Sequence, residues 1–538
     1  MIHGAVLPAF SQSWIFARQA GGIENDYGDR VVVDNEGNSV VTGVFATGTA
    51  SFGSITLAGP GAFNLYVAKY DRSGNELWAK LIGYTTGAGS DILANGIALD
   101  GSGNIYIAGG YRVNAIIAGA ERAIVGSSDM YLVKLNSAGN PVWVRTPGGV
   151  GHGSYGQDGI TGIGLDSSGN CYVTGHYNGD ATFDSITITS PLSYESFVAK
   201  YDSAGKALWA RTASSMGALH IGQGIAVDGA GNSYITGRFF NEITYGGFTI
   251  SSGDAEQKGY IAKLDPDGIF LWAREIGSGG YYGAGNDIAI DPSGNAYVAG
   301  FFRSTIHFTD VDYTYDNGLQ YEALIVKYDR NGNYQWSRRC VGTDIGATAT
   351  GICIDRNGNA YVTGEFSGTA DFGASRIASP AGYGSAFIVK LNPQGNYALV
   401  TQVSGTGNVS GAGIAVTASG QCEIIGTFVG TVSIGTQLMT SAGDQDIFLA
   451  RLNGEGSAVE ESVAGEMSGS MLYPNPASTM IRLNDIPPGN RVEIFSLDGI
   501  RRMEIQNNGL IDVSVLPAGV YFVRAGGRIG KLIRVPGE

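Results

Sequence analysis

The side chains in this 538-residue chain best suited to chemistry are five histidines, four cysteines and one run of aspartates. His3, His152, His176, His220 and His307 are far apart, and none has a serine, cysteine or paired carboxylate at a spacing that would make it a general base. Asp310, Asp312 and Asp316 fall in one loop, where three carboxylates either hold a cation or stay solvated. Cys171, Cys340, Cys353 and Cys422 have no zinc-site spacing. Cys340 and Cys353 are near enough in sequence for a disulfide, and four separate buried thiols fit as well. No motif asks for a cofactor or a metal ion.

A second set suits recognition. Glycine-rich stretches carry Tyr27 with Asp29, His152 with Tyr155, His220, and Tyr281 with Tyr282. Tyrosine rings stack on the apolar faces of sugars, while carboxylates and imidazoles hydrogen-bond hydroxyls, so these loops suit a polar ligand such as a glycan. The same glycines and tyrosines also serve simply to pack loops.

These residues must be held by whatever the rest of the chain builds, and the rest is a repeat. The phrase Asp291-Pro-Ser-Gly-Asn-Ala-Tyr-Val-Ala-Gly300-Phe-Phe302 recurs from Asp34, Asp100, Asp166, Asp228, Asp355 and a degenerate Thr417, about every 64 residues. It reads as a strand end, a tight turn and a second strand. The aspartate caps the turn, the glycine takes its positive φ, and Asp-x-x-Gly-Asn offers too few oxygens for calcium. Each second strand ends in an aromatic: Phe45, Tyr111, Tyr177, Phe239, Phe302, Phe366 and Phe428. A third strand follows with one cation (Lys69, Lys134, Lys200, Lys263, Lys327, Lys390, Arg451), then a fourth with a tryptophan. Sevenfold recurrence assigns those cations to architecture, because a reaction needs one site.

Four antiparallel strands per unit predict an all-β fold, a seven-bladed β-propeller. The tryptophans Trp14, Trp78, Trp143, Trp209, Trp272 and Trp336 are read at one register of the fourth strand, with Leu399 in that slot in unit six. Trp14 precedes the first complete unit, and the seventh unit loses its fourth strand after Asn453, so residues 13–19 are expected to close the ring. First-strand positions Asp29, Asn95, Thr161, Gln223, Asn286 and Thr350, with Ala412 the exception, predict a polar ring by the central channel that holds water or a substrate.

Composition narrows the function classes. Glycine reaches 85 residues without a Gly-X-Y period, which means many tight turns. A net charge of −15 lacks the basic footprint for nucleic acid or an anionic membrane surface, and no apolar run is long enough to span a membrane as a helix. Residues 1–11 read as the remnant of a secretory leader, with small residues Ala9 and Ser11 before a cut at Gln12. Residues 12–455 form the ring and 456–470 a flexible acidic linker. Residues 471–538 form a small Ig-like β-sandwich with strands at Arg491, Ile511 and Val520.

Two resemblances add to this. The repeat phrase, with Phe387-Ile-Val-Lys-Leu-Asn392 and the Gly-Asn-x-x-Trp336 segment, resembles the bacterial seven-bladed β-propeller repeat (SBBP) family, which carries no common reaction. Leu472-Tyr-Pro-Asn-Pro-Ala-Ser478, Val492-Glu-Ile-Phe-Ser-Leu-Asp-Gly499 and Leu516-Pro-Ala-Gly-Val-Tyr-Phe-Val-Arg524 resemble the C-terminal (Por) sorting domain of the type IX secretion system of Bacteroidetes. That likeness implies a signal peptide, partnership with the secretion machinery through residues 471–538, and a secreted or outer-surface location in a Gram-negative bacterium. Together the observations predict an exported module that binds a glycan or a surface protein. The alternatives are a polysaccharide-active enzyme at the channel mouth and a structural surface protein.

Overall fold

The computed structural model describes residues 13–453, apart from 87–91, 151–157, 215–218, 254–255, 280, 315–319, 345 and 374. Of the second compact unit, which begins at Ala458, it describes 472–473, 479–483, 487, 489–496, 501–517, 519–525 and 528–534. The leader and linker predicted at 1–11 and 456–470 lie outside the described residues.

The first unit is antiparallel β throughout. Unit three shows the plan: Gly159–Leu165, Cys171–Phe183, Ile186–Tyr201 and Ala207–Thr212 pair in chain order. Asp166 caps the turn between its first two strands. Its Oδ1 accepts from the Ser168 and Asn170 amides and its Oδ2 from the Asn170 side chain at 2.7 Å. The same cap recurs at Asp34, Asp100, Asp228, Asp291 and Asp355, and Thr417 Oγ1 keeps one bond of it, from Gln421 N. All seven strand-ending aromatics are buried.

In six units the fourth strand is the chain's next segment. In the seventh, Val409–Val416, Cys422–Phe428 and Asp446–Leu452 pair in chain order, and Asp446–Leu452 takes Trp14–Gly21 as its outer partner, from Trp14 opposite Leu452 to Ala20 opposite Ile447 with a bulge between Trp14 and Phe16. Neighbouring units are also stitched together. The end of one fourth strand bridges to the loop that follows the next second strand, at Gly83–Ile117, Gly148–Thr182, Ser214–Thr244, Ser278–His307, Val341–Asp371 and Gly405–Val432. The pair Ala20–Phe52 makes the same stitch between the last unit and the first.

One register expectation needs correcting. Each tryptophan stands opposite the third-strand cation, as Trp209 does to Lys200, but the residue opposite Arg451 is Phe16. Trp14 lies two residues earlier, opposite Leu452, and packs on the turn at Gly435. The strand bulges between Trp14 and Phe16, which turns the two rings to opposite faces: Trp14 packs on the cluster with Leu452 and Ile434, Phe16 in that with Tyr70 and Leu449. Phe16 does the slot's work. Gly74 lies against its ring as Gly268 lies against Trp209, and Arg18 Nε donates to Gly74 O as Arg211 Nε does to Gly268 O. The turn glycines must be glycine twice over: Gly205 has φ +81°, and a Cβ there would sit 2.8 Å from the Trp143 ring.

These rings hold neighbours together. Trp209 is 8% exposed, meets Tyr172 edge-on at 5.9 Å and donates from Nε1 to Pro266 O of the next unit. Trp209→Ala is expected to cost about 3–5 kcal/mol, read as a lower denaturant midpoint. The cations reach across too: Lys200 Nζ lies 4.8 Å over the Tyr172 ring and donates to Pro266 O at 3.2 Å. In the seventh unit a glutamate replaces the tyrosine. Arg451 and Glu423, both fully buried, pair at 2.7 Å, and the guanidinium also donates to Ser39 Oγ, Gly37 O and Arg72 O of unit one. Glu423→Ala leaves that guanidinium buried without its counter-ion, an expected loss of about 3–5 kcal/mol in equilibrium unfolding.

The four cysteines are free thiols. Cys340 belongs to a core cluster with Trp336 and Phe372, while Cys353 packs on a different cluster around Tyr361 and Ile414. Consecutive strands of adjacent units point them into separate interfaces, so the disulfide weighed from sequence does not form.

The second compact unit holds two antiparallel sheets. One orders Leu472–Tyr473, Met480–Leu483 and Ile511–Asp512; the other orders Arg501–Gln506, Arg491–Ser496, Gly519–Ala525 and Arg528–Arg534. Ile481, Val492, Ile494, Ile511, Val523 and Leu532 form their common core.

Candidate functional site

The first strands of all seven units line one cavity of about 430 Å³. Each first strand carries a bulge at the same place: Asp29, Asn95, Thr161, Gln223, Asn286, Thr350 and Ala412 are the extra residues. Two residues further on stand Val31, Ile97, Ile163, Ile225, Ile288, Ile352 and Ile414, an apolar β-branched collar on the cavity.

Much of the polar ring is engaged. Asn95 Nδ2 donates to Ile160 O, Thr161 Oγ1 to Gly222 O, Asn286 Nδ2 to Ala349 O and Thr350 Oγ1 to Gly411 O, each in the next unit. The ring expected to hold water or substrate is in good part a belt of staples. Between bulge and collar, five units have glycine, because the next unit's first strand packs closely there: a Cβ on Gly224 would lie 3.0 Å from Asp287 Cα. Units one and five break the rule with Arg30 and Asp287. Arg30 donates to Asn95 O on one side and Ala412 O on the other, and Asp287 Oδ2 accepts from Ile352 N. Burial is the main force raising both Asp287 and Asp29, the latter to about 7 although Arg30 opposes it.

The other expected residues part company. Tyr27, half-buried on unit one, gives its carbonyl to Tyr66 Oη. His220 is fully buried. Its Nδ1 lies 3.2 Å from Glu195 Oε2 and its Nε2 3.1 Å from Phe240 O, so it ties unit three to unit four and faces no ligand. His152, Tyr155 and the side chain of Tyr281 lie outside the described residues, as does Asp316 of the acidic loop, whose Asp312 accepts from or shares a proton with His307 Nδ1 at 2.8 Å.

Tyr282 finds company that sequence reasoning missed. Its ring lies 6.4 Å from Phe301 and 6.3 Å from Tyr321; Phe301 and Tyr321 meet at 4.9 Å, and Arg303 Cζ sits 4.3 Å over Tyr282. All three rings are half-exposed, at the end of unit five away from its capped turns. The signal for Phe301 lay inside the repeat phrase. The slot between its invariant glycine and its final aromatic reads Val44, Gly110, His176, Arg238, Phe301, Glu365 and Thr427, the least uniform place in an otherwise regular phrase. A larger hollow of about 650 Å³ lies at the opposite end, among the turns of units four to six. Its aspartates, Asp228, Asp291 and Asp355, are those that cap the turns, which leaves it to the scaffold.

Residues 77–109, 271–300 and 335–366 match the model of the beta-propeller repeat SBBP, and residues 471–534 match that of the secretion system C-terminal sorting domain. An uncharacterized WD repeat-containing protein of Acanthamoeba polyphaga mimivirus is 24% identical over 419 residues, covering 63% of this chain and 29% of that protein. The chain thus spans less than a third of the length of that curated relative. Among solved structures, the beta-propeller domain of the Trilobed protease from Pyrococcus furiosus aligns with a TM-score of 0.39 at 7% identity, over 83% of this chain and 99% of that one. An ulvan lyase from a new family of polysaccharide lyases aligns with a TM-score of 0.41 at 11% identity, over 81% and 96%.

Proposed function

From a chain that carries SBBP beta-propeller repeats and a type IX sorting domain, and so is exported to the cell surface or the extracellular space, we propose a binding module. Its body is a seven-bladed propeller closed by Trp14–Gly21, and its sorting domain is an Ig-like sandwich recognised by the secretion machinery. The ligand is a glycan on the cell surface or in the medium, with a surface protein as the other candidate. The observation that carries this reading is the half-exposed cluster Tyr282, Phe301 and Tyr321 at the end of the ring where the units differ. Aromatic faces of this kind stack on sugar rings, and three of them left partly open to solvent in one cluster suit a ligand that covers them.

The test is a glycan array and calorimetry with the full chain. Binding is expected, and Phe301→Ala should weaken it about tenfold with the melting temperature nearly unchanged. A folded protein that binds no glycan refutes the glycan reading.

A second reading draws on Asp29 and Asp287. Carboxyls raised by burial beside a channel suit general acid chemistry, as a polysaccharide-active enzyme needs. It requires shortened or unsaturated products from a bound polysaccharide, abolished by Asp29→Asn; binding without products leaves the module non-enzymatic.

A further inference from the structure

We infer that the ligand is an acidic glycan, carboxylated or sulfated, gripped by an arc of three arginines, with His176 among them, at the second-strand ends of units two to five; this rests on the binding-module reading above. The arc is written in the variable part of the repeat. His176 and Arg238 fill the slot before the final aromatic in units three and four, and Arg112 and Arg303 follow that aromatic in units two and five. The chain carries a net charge of −15, so three arginines on neighbouring units, with His176 among them, run against its average.

The groups feel one another. The His176 ring is pushed down to about 4, first by burial and then by the Arg238 and Arg112 charges. Burial also lowers Arg238, whose other electrostatic neighbour is Tyr282 of the aromatic cluster. Among the described residues, Arg238 and Arg303 form no ion pair, and the buried Arg238 Nε and His176 Nδ1 have no hydrogen-bond partner. Leaving such groups unpaired costs stability unless something else uses them. Arg303, stacked on Tyr282, ties the arc to the rings, and Tyr194 lies 6.1 Å from His176. Guanidinium groups pair in plane with carboxylates and sulfates, and aromatic faces take pyranose rings. One ligand class satisfies both: a sugar chain that bears anions.

The experiment uses the full chain in calorimetry with polygalacturonate, dextran sulfate, neutral dextran and poly-glutamate, across a salt series. At least one acidic glycan is expected to bind, more weakly as salt rises, and neutral dextran not to. Arg238→Gln and Arg303→Gln should each weaken binding tenfold or more, with Arg376→Gln, an exposed arginine paired to Asp371, as the unaffected control. Unchanged melting temperatures show that the variants fold. If a neutral glycan binds as well as the acidic ones, the binding module survives and this inference fails. Acidic binding undiminished in both variants places the ligand elsewhere and also overturns it. Poly-glutamate binding as tightly as the glycans, with equal loss in the variants, makes the arc a peptide site. No binding to any glycan by a folded protein removes this inference together with the glycan reading above.

Discussion

A chain lacking residues 13–21 should melt at least about 10 °C below the intact protein and lose its single cooperative transition. The strand Trp14–Gly21 pairs with Asp446–Leu452 as the fourth strands of the other six units pair with their third. Its removal strips the outer partner from Asp446–Leu452, uncovers the buried Phe448 and Ala450, and takes Phe16 from over Arg451. It also removes the stitch to Phe52 that joins the last unit to the first. Phe16→Ala alone removes a buried ring and should cost about 3–5 kcal/mol. Trp14→Ala, outside the slot, should cost less. Differential scanning calorimetry orders the three changes; a truncated chain that melts with the intact one would mean that the ring does not depend on this strand.

The second large effect is on pH. Asp26, Asp129 and Asp158 are almost wholly buried, and burial first of all raises each carboxyl to about 7. Asp129 Oδ1 and Asp158 Oδ2 have no hydrogen-bond partner, as suits a carboxyl that keeps its proton. In the unfolded chain these groups ionise near 4. Between about 4 and 7 the folded state therefore holds protons the unfolded state has released, and stability falls as pH rises. The contribution is full below about pH 4 and lost as pH passes 7. Moving a carboxyl from about 4 to about 7 is worth at most about 4 kcal/mol per group. His176, held neutral down to about 4, works in the opposite direction below its ordinary value, and Asp71, held low by its bonds to Asn75, resists further acidification. The melting temperature should thus peak near pH 5 and fall by on the order of 10 °C by pH 8. The double variant Asp129→Asn with Asp158→Asn mimics the protonated pair, so it should flatten the slope and raise the melting temperature at pH 8. An equally steep slope in that variant would show that other groups carry it.

Much of this was legible in the chain itself, because a repeat tests its own reading seven times. The capping aspartate, the turn glycine and the closing aromatic each serve one local geometry, so their recurrence pointed directly to Asp166, Gly169 and Tyr177 in their observed roles. What escaped depended on register or on neighbours distant in sequence. Phe16 and Trp14 lie two residues apart, and the bulge between them, which puts Phe16 opposite Arg451 and Trp14 on the other face, leaves no mark in the sequence pattern. His220 looked like a ligand residue because loops carry function; its burial against Glu195 comes from a neighbouring unit. The raised carboxyls owe their state to desolvation, which no spacing encodes. The aromatic cluster was half visible: Tyr282 stood out by composition, while Phe301 is hidden inside the scaffold phrase.

The closing strand also has a consequence in time. Gln19 hydrogen-bonds Asp446, 427 residues further along the chain. The strand Trp14–Gly21 must therefore wait for a partner made long after it. Loop entropy grows slowly with length, so the wait costs little final stability. It delays completion instead, since pairings this distant form late. Until Asp446–Leu452 is made, Trp14–Gly21 lacks its main partner, and that edge stays open while the units between them form.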